Sequence, residues 1–284
     1  MIGKAMDSEG YVTYVGNHDA LAVMQSIQQH FKLYNTDFKK KNKFSAGLNK
    51  EAPNQGSVEK DSKKNKVRPV KNYQEPEIFV LHNSKFIQSN IYFYIPSKTV
   101  DDENKVRAKM FNEYYNGGMN GVIFQNIREL RSLGYSAFGY FSYDILNRRN
   151  AYTMGFLGTQ SDKTIDGITA MSELLKTFQL KQEKFETAKL SLVKQYEAEY
   201  INFRDIPQQV YLWSLEGFES DPRSNLTTRT LGLKSNNITE FFNNYIGNRP
   251  MVITIAGNMN RIKKKQLEKF GKVTFLNYSD ILND

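Results

Sequence analysis

Cysteine is absent from the 284 residues, so neither disulfides nor thiolate metal sites hold this chain together or do its chemistry. Long apolar runs are absent too. No stretch of about 18 apolar residues is there to cross a bilayer, and the opening MIGKAMDSEGYV has neither the apolar core nor the small-residue cleavage site of a secretory signal. The chain is therefore expected to be soluble with no membrane span, and its compartment stays open, bacterial periplasm and cell envelope included. It opens in a polar stretch just ahead of a strand-like run, which leaves room for an address sequence upstream.

Histidine is scarce: His18, His30 and His82 are the only three, and no two stand four residues apart. Neither H-x-x-E-H nor H-E-x-x-H occurs, so no helix face here offers two imidazoles and a carboxylate, and these residues make no catalytic zinc site. Each histidine has an ordinary place instead: His18 in a turn, His30 near a helix end, His82 in a turn before Asn83. The adjacent Asp101, Asp102 and Glu103 read as helix caps that favour the positive end of the macrodipole rather than as an acid–base pair. A phosphate-binding loop and a nucleophile elbow are also missing.

What is present is enough apolar sequence for a packed core, at 39% hydrophobic and 13% aromatic. The net charge of +9 is local: residues 32–71 hold twelve basic residues against four acidic ones, leaving the rest close to neutral. That stretch is rich in Asn, Gly, Ser and Pro and shows no sustained apolar period, which is the composition of a solvated linker. An anionic-partner patch is the weaker alternative, because aromatic residues for base stacking are few there, Tyr34, Phe38 and Phe44 with none behind them, and no nucleic-acid partner is expected.

Residues 10–31 read as strand, turn and helix, with an apolar run ending at Gly16-Asn17 and with Ala22, Ile27 and Phe31 at near-helical spacing behind Asp19. Residues 251–270 repeat the arrangement, ITIAGN standing against VTYVGN. Either a duplicated unit closes two modules or two unrelated turns share Gly-Asn. Between them, 79–81 and 86–95 read as strands, the second stopped by Pro96. A helix capped among Thr99, Asp101 and Asp102 follows, stopping at Gly117-Gly118. A second helix from Asn120 puts Ile123, Ile127 and Leu130 on one face and ends at Gly134. Strands are expected at 135–143 and 151–157, and helices at 164–178, 181–203, 205–218 and 239–245. This order lacks the alternation of a doubly wound sheet and predicts an α+β fold, a mostly antiparallel sheet with helices packed on it.

The block 114–143 carries Gly117-Gly118-Met119 and then Phe124-Gln125-Asn126-Ile127-Arg128-Glu129-Leu130-Arg131-Ser132-Leu133-Gly134-Tyr135. In these residues the chain resembles the pitrilysin/insulinase family of zinc metallopeptidases, mitochondrial processing peptidase among them. Members have a Gly-Gly-Met-type turn, a helix of pattern F-Q-x-I-R-E-x-R-x-L-G/A-Y, and then a strand. The likeness extends more loosely to Gln88-Ser89, to the helices behind the block and to the unit ending at Phe270. It departs at Asn120, Gly121 and Val122, where small serines and an Arg commonly follow the Met.

The resemblance implies a processing-peptidase-like module and a division of the chain. Residues 1–34 become the tail of a preceding truncated module, 35–75 a basic flexible linker, and 76–284 a complete C-terminal module. It implies that zinc sits outside this chain, in a missing N-terminal half or partner bearing H-x-x-E-H. It also places the family's substrate-binding Arg and Tyr, seven residues apart, on Arg128 and Tyr135. A guanidinium suits peptide carbonyls, and a phenol suits the oxyanion of a tetrahedral intermediate, acting in trans to the zinc half. Read without the resemblance, the two are a solvated helix residue and a core aromatic. The implied function is the substrate-binding half of a zinc-dependent peptidase, inactive alone, with the zinc-bearing half and a peptide substrate as partners. The alternative is a non-catalytic scaffold or partner subunit of the same family.

Overall fold

Alternating apolar and polar side chains build the sheet that organises the chain in its computed structural model. The structure describes residues 14–33, 73–129, 131–144, 149–215, 218, 220–262 and 264–279. These belong to two compact units, one of residues 1–66 with 199–224 and one of residues 67–198 with 225–284. In the larger unit the strands are β1 (Glu77–His82), β2 (Gln88–Pro96), β3 (Gly134–Ser142), β4 (Tyr152–Gln160), β5 (Val252–Gly257) and β6 (Lys272–Leu276). They form one sheet in the order β3-β4-β2-β5-β1-β6. Three of its five pairings are antiparallel, and β1 runs parallel to both β5 and β6. The α+β class and the mostly antiparallel sheet are thus as expected.

The helices, in chain order, are α1 (Ala20–Leu33), α2 (Asp102–Asn116), α3 (Thr164–Lys176), α4 (Gln182–Ala198), α5 (Ile206–Leu215), α6 (Leu226–Leu231), α7 (Ser235–Phe242) and α8 (Lys264–Leu267). In the larger unit, buried side chains of one sheet face meet helix side chains. Phe93, Phe141 and Leu157 are at most 1% exposed, as are Met110 and Phe111 of α2, Met171 and Leu175 of α3, and Phe185 of α4. Aromatic rings fill the helical layer: Phe111 lies 4.4 Å from Tyr115 and 5.8 Å from Phe241, and Phe178 lies 5.1 Å from Phe242. The hydroxyl of Tyr115 donates to the Leu174 carbonyl at 2.9 Å, and that of Tyr114 accepts from the Lys181 amide at 2.9 Å. Both ends of the α3–α4 connection are tied to α2 in this way. Burial raises both phenol pKa values above the ordinary tyrosine range, so each stays a neutral hydrogen-bonding group.

The start of α2 is fixed by Asp101, whose carboxylate accepts from the Asn104 amide at 2.9 Å; that bond holds its pKa below the usual carboxylate range. Edge strand β3 is tied to the same helix. The Asn112 amide donates to the Phe141 carbonyl at 2.9 Å and accepts from its N–H at 2.7 Å, pairing backbone groups that no described strand reaches.

In the smaller unit, the Asp19 carboxylate caps α1 by accepting from Ala22 at 2.9 Å, as the sequence suggests. Helix α5 buries none of its side chains despite its apolar composition. Arg223 lies 5.2 Å from the Trp213 ring and pairs with Asp221 at 2.6 Å, which lowers the Asp221 pKa.

Several boundaries move. The helix expected at 181–203 ends at Ala198, and the one expected from 239 begins at Ser235. The sequence pattern places no helix at α6, and it assigns no residues to the closing strand β6. KVTFL in β6 gives only five residues of alternation behind Gly271, too short a run to stand out. Of the strand expected in residues 10–15, residues 10–13 lie outside the described ones, and Tyr14 and Val15 carry no strand. The basic stretch lies outside them as well, from residue 34 to residue 72.

Candidate functional site

Two glycines end α2 for different reasons. A Cβ on Gly117 would sit 2.3 Å from the Glu113 carbonyl oxygen, the same oxygen that accepts the Gly117 amide at 2.8 Å, and Gly118 has a left-handed φ of 59°. The chain can therefore turn at once into a second helical segment. That segment begins as α-helix at Val122 and widens into a π-helical stretch, Phe124–Glu129. Ile123 and Ile127 are fully buried, as the apolar stripe requires, and Leu130 lies outside the described residues. π-Turns are rare and concentrate at functional sites.

Arg128 rides on this segment away from the buried stripe. Its side chain is 40% exposed, its guanidinium lies 4.9 Å from the Phe124 ring centre, and its Nε is 3.9 Å from the Glu129 carboxylate. Around it the segment is pinned to other helices. Lys184 of α4 donates to the Gln125 side chain, and Arg131 pairs with Glu173 of α3 at 3.2 Å. Burial, with Lys181 nearby, lowers the Lys184 pKa.

The reversal into β3 is made by Ser132, a non-glycine residue at a left-handed φ of 47°, and not by Gly134 as the sequence suggests. The Ser132 carbonyl accepts from Lys163 Nζ at 3.4 Å, and the Thr159 hydroxyl donates to the Leu133 carbonyl. Gly134 is needed for closeness instead, since a Cβ there would stand 2.4 Å from the Gly158 carbonyl oxygen. Gly134→Ala is expected to lower stability by about 1–3 kcal/mol, because the clash is with backbone and no rotamer relieves it. Urea unfolding measures this, and an unchanged midpoint would show that the β3–β4 pairing opens freely at this end.

Tyr135 follows at a β-bulge: Gly134 pairs with Thr159 and Ser136 with Gly158, leaving Tyr135 as the additional residue. Its side chain lies outside the described residues. The structure thus places Arg128 and Tyr135 at the two ends of one tight reversal, on elements held by separate sets of contacts. Sequence reasoning missed the residues that hold it: Thr159, Lys163, Glu173 and Lys184 come from 159–184 and show no spacing relation to the motif.

Among the described residues no donor set fits zinc. His82 closes β1, and its Nδ1 accepts the Met259 amide at 3.0 Å, so that nitrogen is already occupied. Among the described residues no group of three or more His, Asp or Glu side chains converges. No described helix is long and apolar enough to cross a membrane.

A family model described as the peptidase M16 inactive domain matches residues 11–192. Among solved structures, the chain is similar to the peptidase M16 inactive domain from Pseudomonas fluorescens. The identity there is 17% and the TM-score 0.56, over 65% of this chain and 44% of that one. It is also similar to a protease from Helicobacter pylori, at 13% identity and a TM-score of 0.57, over 86% of this chain and 53% of that one. A chain of complex III2 from Candida albicans matches at 12% identity and a TM-score of 0.51, over 69% of this chain and 49% of that one. The chain spans about half the length of these structures, and no curated protein matches it significantly in sequence. With well over half of its residues inside the matched region and a motif that carries no metal ligands, the chain belongs to the M16 peptidase family as its inactive, non-zinc-binding domain.

Proposed function

We propose that this chain is the substrate-binding half of a zinc-dependent M16 peptidase, with residues 1–34 the end of the preceding module, 35–75 a linker, and 76–284 the complete C-terminal module. The observation that carries the reading is the Arg128–Tyr135 reversal, two hydrogen-bonding side chains set seven residues apart on a turn that Thr159, Lys163 and Glu173 brace. Bracing matters because a group that must meet a reacting carbonyl gains from being held before substrate arrives. Hydrolysis belongs to a zinc-bearing half supplied by the same protein or by a partner. Arg128 binds peptide carbonyl oxygens with its fork of N–H groups, and Tyr135 donates to the oxygen that gains charge.

The two roles separate kinetically. With the zinc-bearing half present, Arg128→Ala raises KM about tenfold or more with a smaller change in kcat, because a contact made equally to substrate and transition state acts on binding. A KM unchanged from the wild type, with folding intact by circular dichroism, would remove Arg128 from the site. The second reading is a non-catalytic scaffold or partner subunit of the same family, favoured by the match to a family model described as an inactive domain. In that case no zinc-bearing partner confers hydrolysis, and Arg128→Ala leaves assembly unchanged.

A further inference from the structure

The π-helical segment carries one large apolar side chain that the core does not use. Phe124 is half-buried beside the fully buried Ile123, and it is not among the residues that pack on the core cluster. Among the described residues no other aromatic ring lies against it. What the ring does meet is Arg128, whose guanidinium carbon stands 4.9 Å from its centre. Residues four apart are neighbours on a helix surface, so the two side chains lie together on one side of Phe124–Glu129.

Two groups could hold that guanidinium, and they differ in kind. The Glu129 carboxylate is 3.9 Å from Nε and 60% exposed, and an exposed ion pair at that distance contributes little. The Phe124 ring is within the roughly 6 Å over which a π face attracts a guanidinium. Its backbone is also fixed: Ile123 on one side is buried, and Gln125 on the other accepts from Lys184 of α4. A carboxylate engages the same N–H groups that a peptide carbonyl needs, whereas a ring attracts the charge of the cation and leaves the carbonyl no competitor.

We propose that Phe124 is the positioning residue for Arg128. Its ring holds the guanidinium in place before a peptide arrives, so that less of a long side chain's freedom is lost on binding. The inference rests on the reading of Arg128 as a substrate-binding group and adds what sets that group in place.

The first test uses the 284-residue chain alone and needs neither zinc nor catalysis. The Nε–H signal of Arg128, identified by its disappearance in Arg128→Lys, is followed by nuclear magnetic resonance. The ring current of Phe124 is expected to displace it from the ordinary arginine position. Phe124→Leu, which keeps an apolar side chain, returns it to that position, and Glu129→Gln leaves it displaced. An unchanged signal in Phe124→Leu, or a return to the ordinary position in Glu129→Gln, overturns the proposal. The second test is kinetic, with a zinc-bearing half present. Phe124→Leu is expected to raise KM about three- to fivefold with little change in kcat, the scale of one cation–π contact at a partly exposed site. Phe124→Trp, which keeps a π face, recovers most of that loss, and Phe124→Leu adds nothing to Arg128→Ala. A loss that adds in full to that of Arg128→Ala overturns the proposal, because Phe124 would then act without Arg128. Thermal melting of each variant separates these effects from loss of folding. If Arg128→Ala itself leaves KM unchanged, the substrate-binding reading falls, and the resonance measurement still decides the role of Phe124.

Discussion

On the proposed function, Tyr135→Phe is expected to lower kcat for peptide hydrolysis by about 10²-fold or more once the chain is paired with a zinc-bearing half, and to move KM by much less. The substitution removes one hydroxyl and keeps the ring, so the bulge between Gly134 and Ser136 and the pairing to β4 are preserved. A donor aimed at an oxygen that becomes charged only in the transition state gives little to the ground state, which is why the loss falls on kcat. Removing one such donor elsewhere costs about 2.7–4 kcal/mol. Steady-state kinetics on wild type and variant, with thermal melting as the control for folding, decides the matter. A kcat equal to that of the wild type would leave Tyr135 with no part in the chemistry.

Phe111→Ala, in contrast, acts on stability. Phe111 is 1% exposed, and its ring lies within 6.3 Å of those of Tyr115, Phe178, Phe241 and Phe242. It is the point at which α2, α7 and the α3–α4 connection meet. Truncation leaves a cavity walled by rings that are themselves packed and cannot collapse into it, so the expected loss is about 3–5 kcal/mol. That is a large fraction of the 5–15 kcal/mol typical of a folded domain, roughly the margin that keeps such a domain folded. Phe111→Leu, which keeps most of the volume, is expected to lose about 1.5 kcal/mol or less. Chemical denaturation separates the two. Similar midpoints for both variants would mean that the aromatic layer is not a single packed unit.

The parts of this fold written in local pattern could be read directly. Alternation announced β2 and β4, Asp101 announced the start of α2, and Gly117-Gly118 announced its end, because in each case the physical cause lies within a few residues of the effect. The parts created by tertiary contact could not. Nothing near residue 132 foretells that Ser132 takes the left-handed turn, since the contacts holding it come from Lys163 and Thr159 on other elements. The widening of residues 124–129 into a π-helix is likewise invisible to a period count, which places Ile123 and Ile127 inward for either helix type. Position in sequence identified Arg128 and Tyr135 only through family resemblance; composition alone left both as ordinary residues. Alternation also does not say which half of each strand the helices will cover; in β2 it is the half with Phe93, and Tyr92 is left 46% exposed.

The most direct test of the central claim is zinc content together with peptidase activity, measured on this chain alone and again after it is joined to a zinc-bearing M16 half. The account predicts no bound zinc and no hydrolysis from the chain alone, and EDTA-sensitive cleavage when the halves are combined. Stoichiometric zinc and activity in the isolated chain would contradict it.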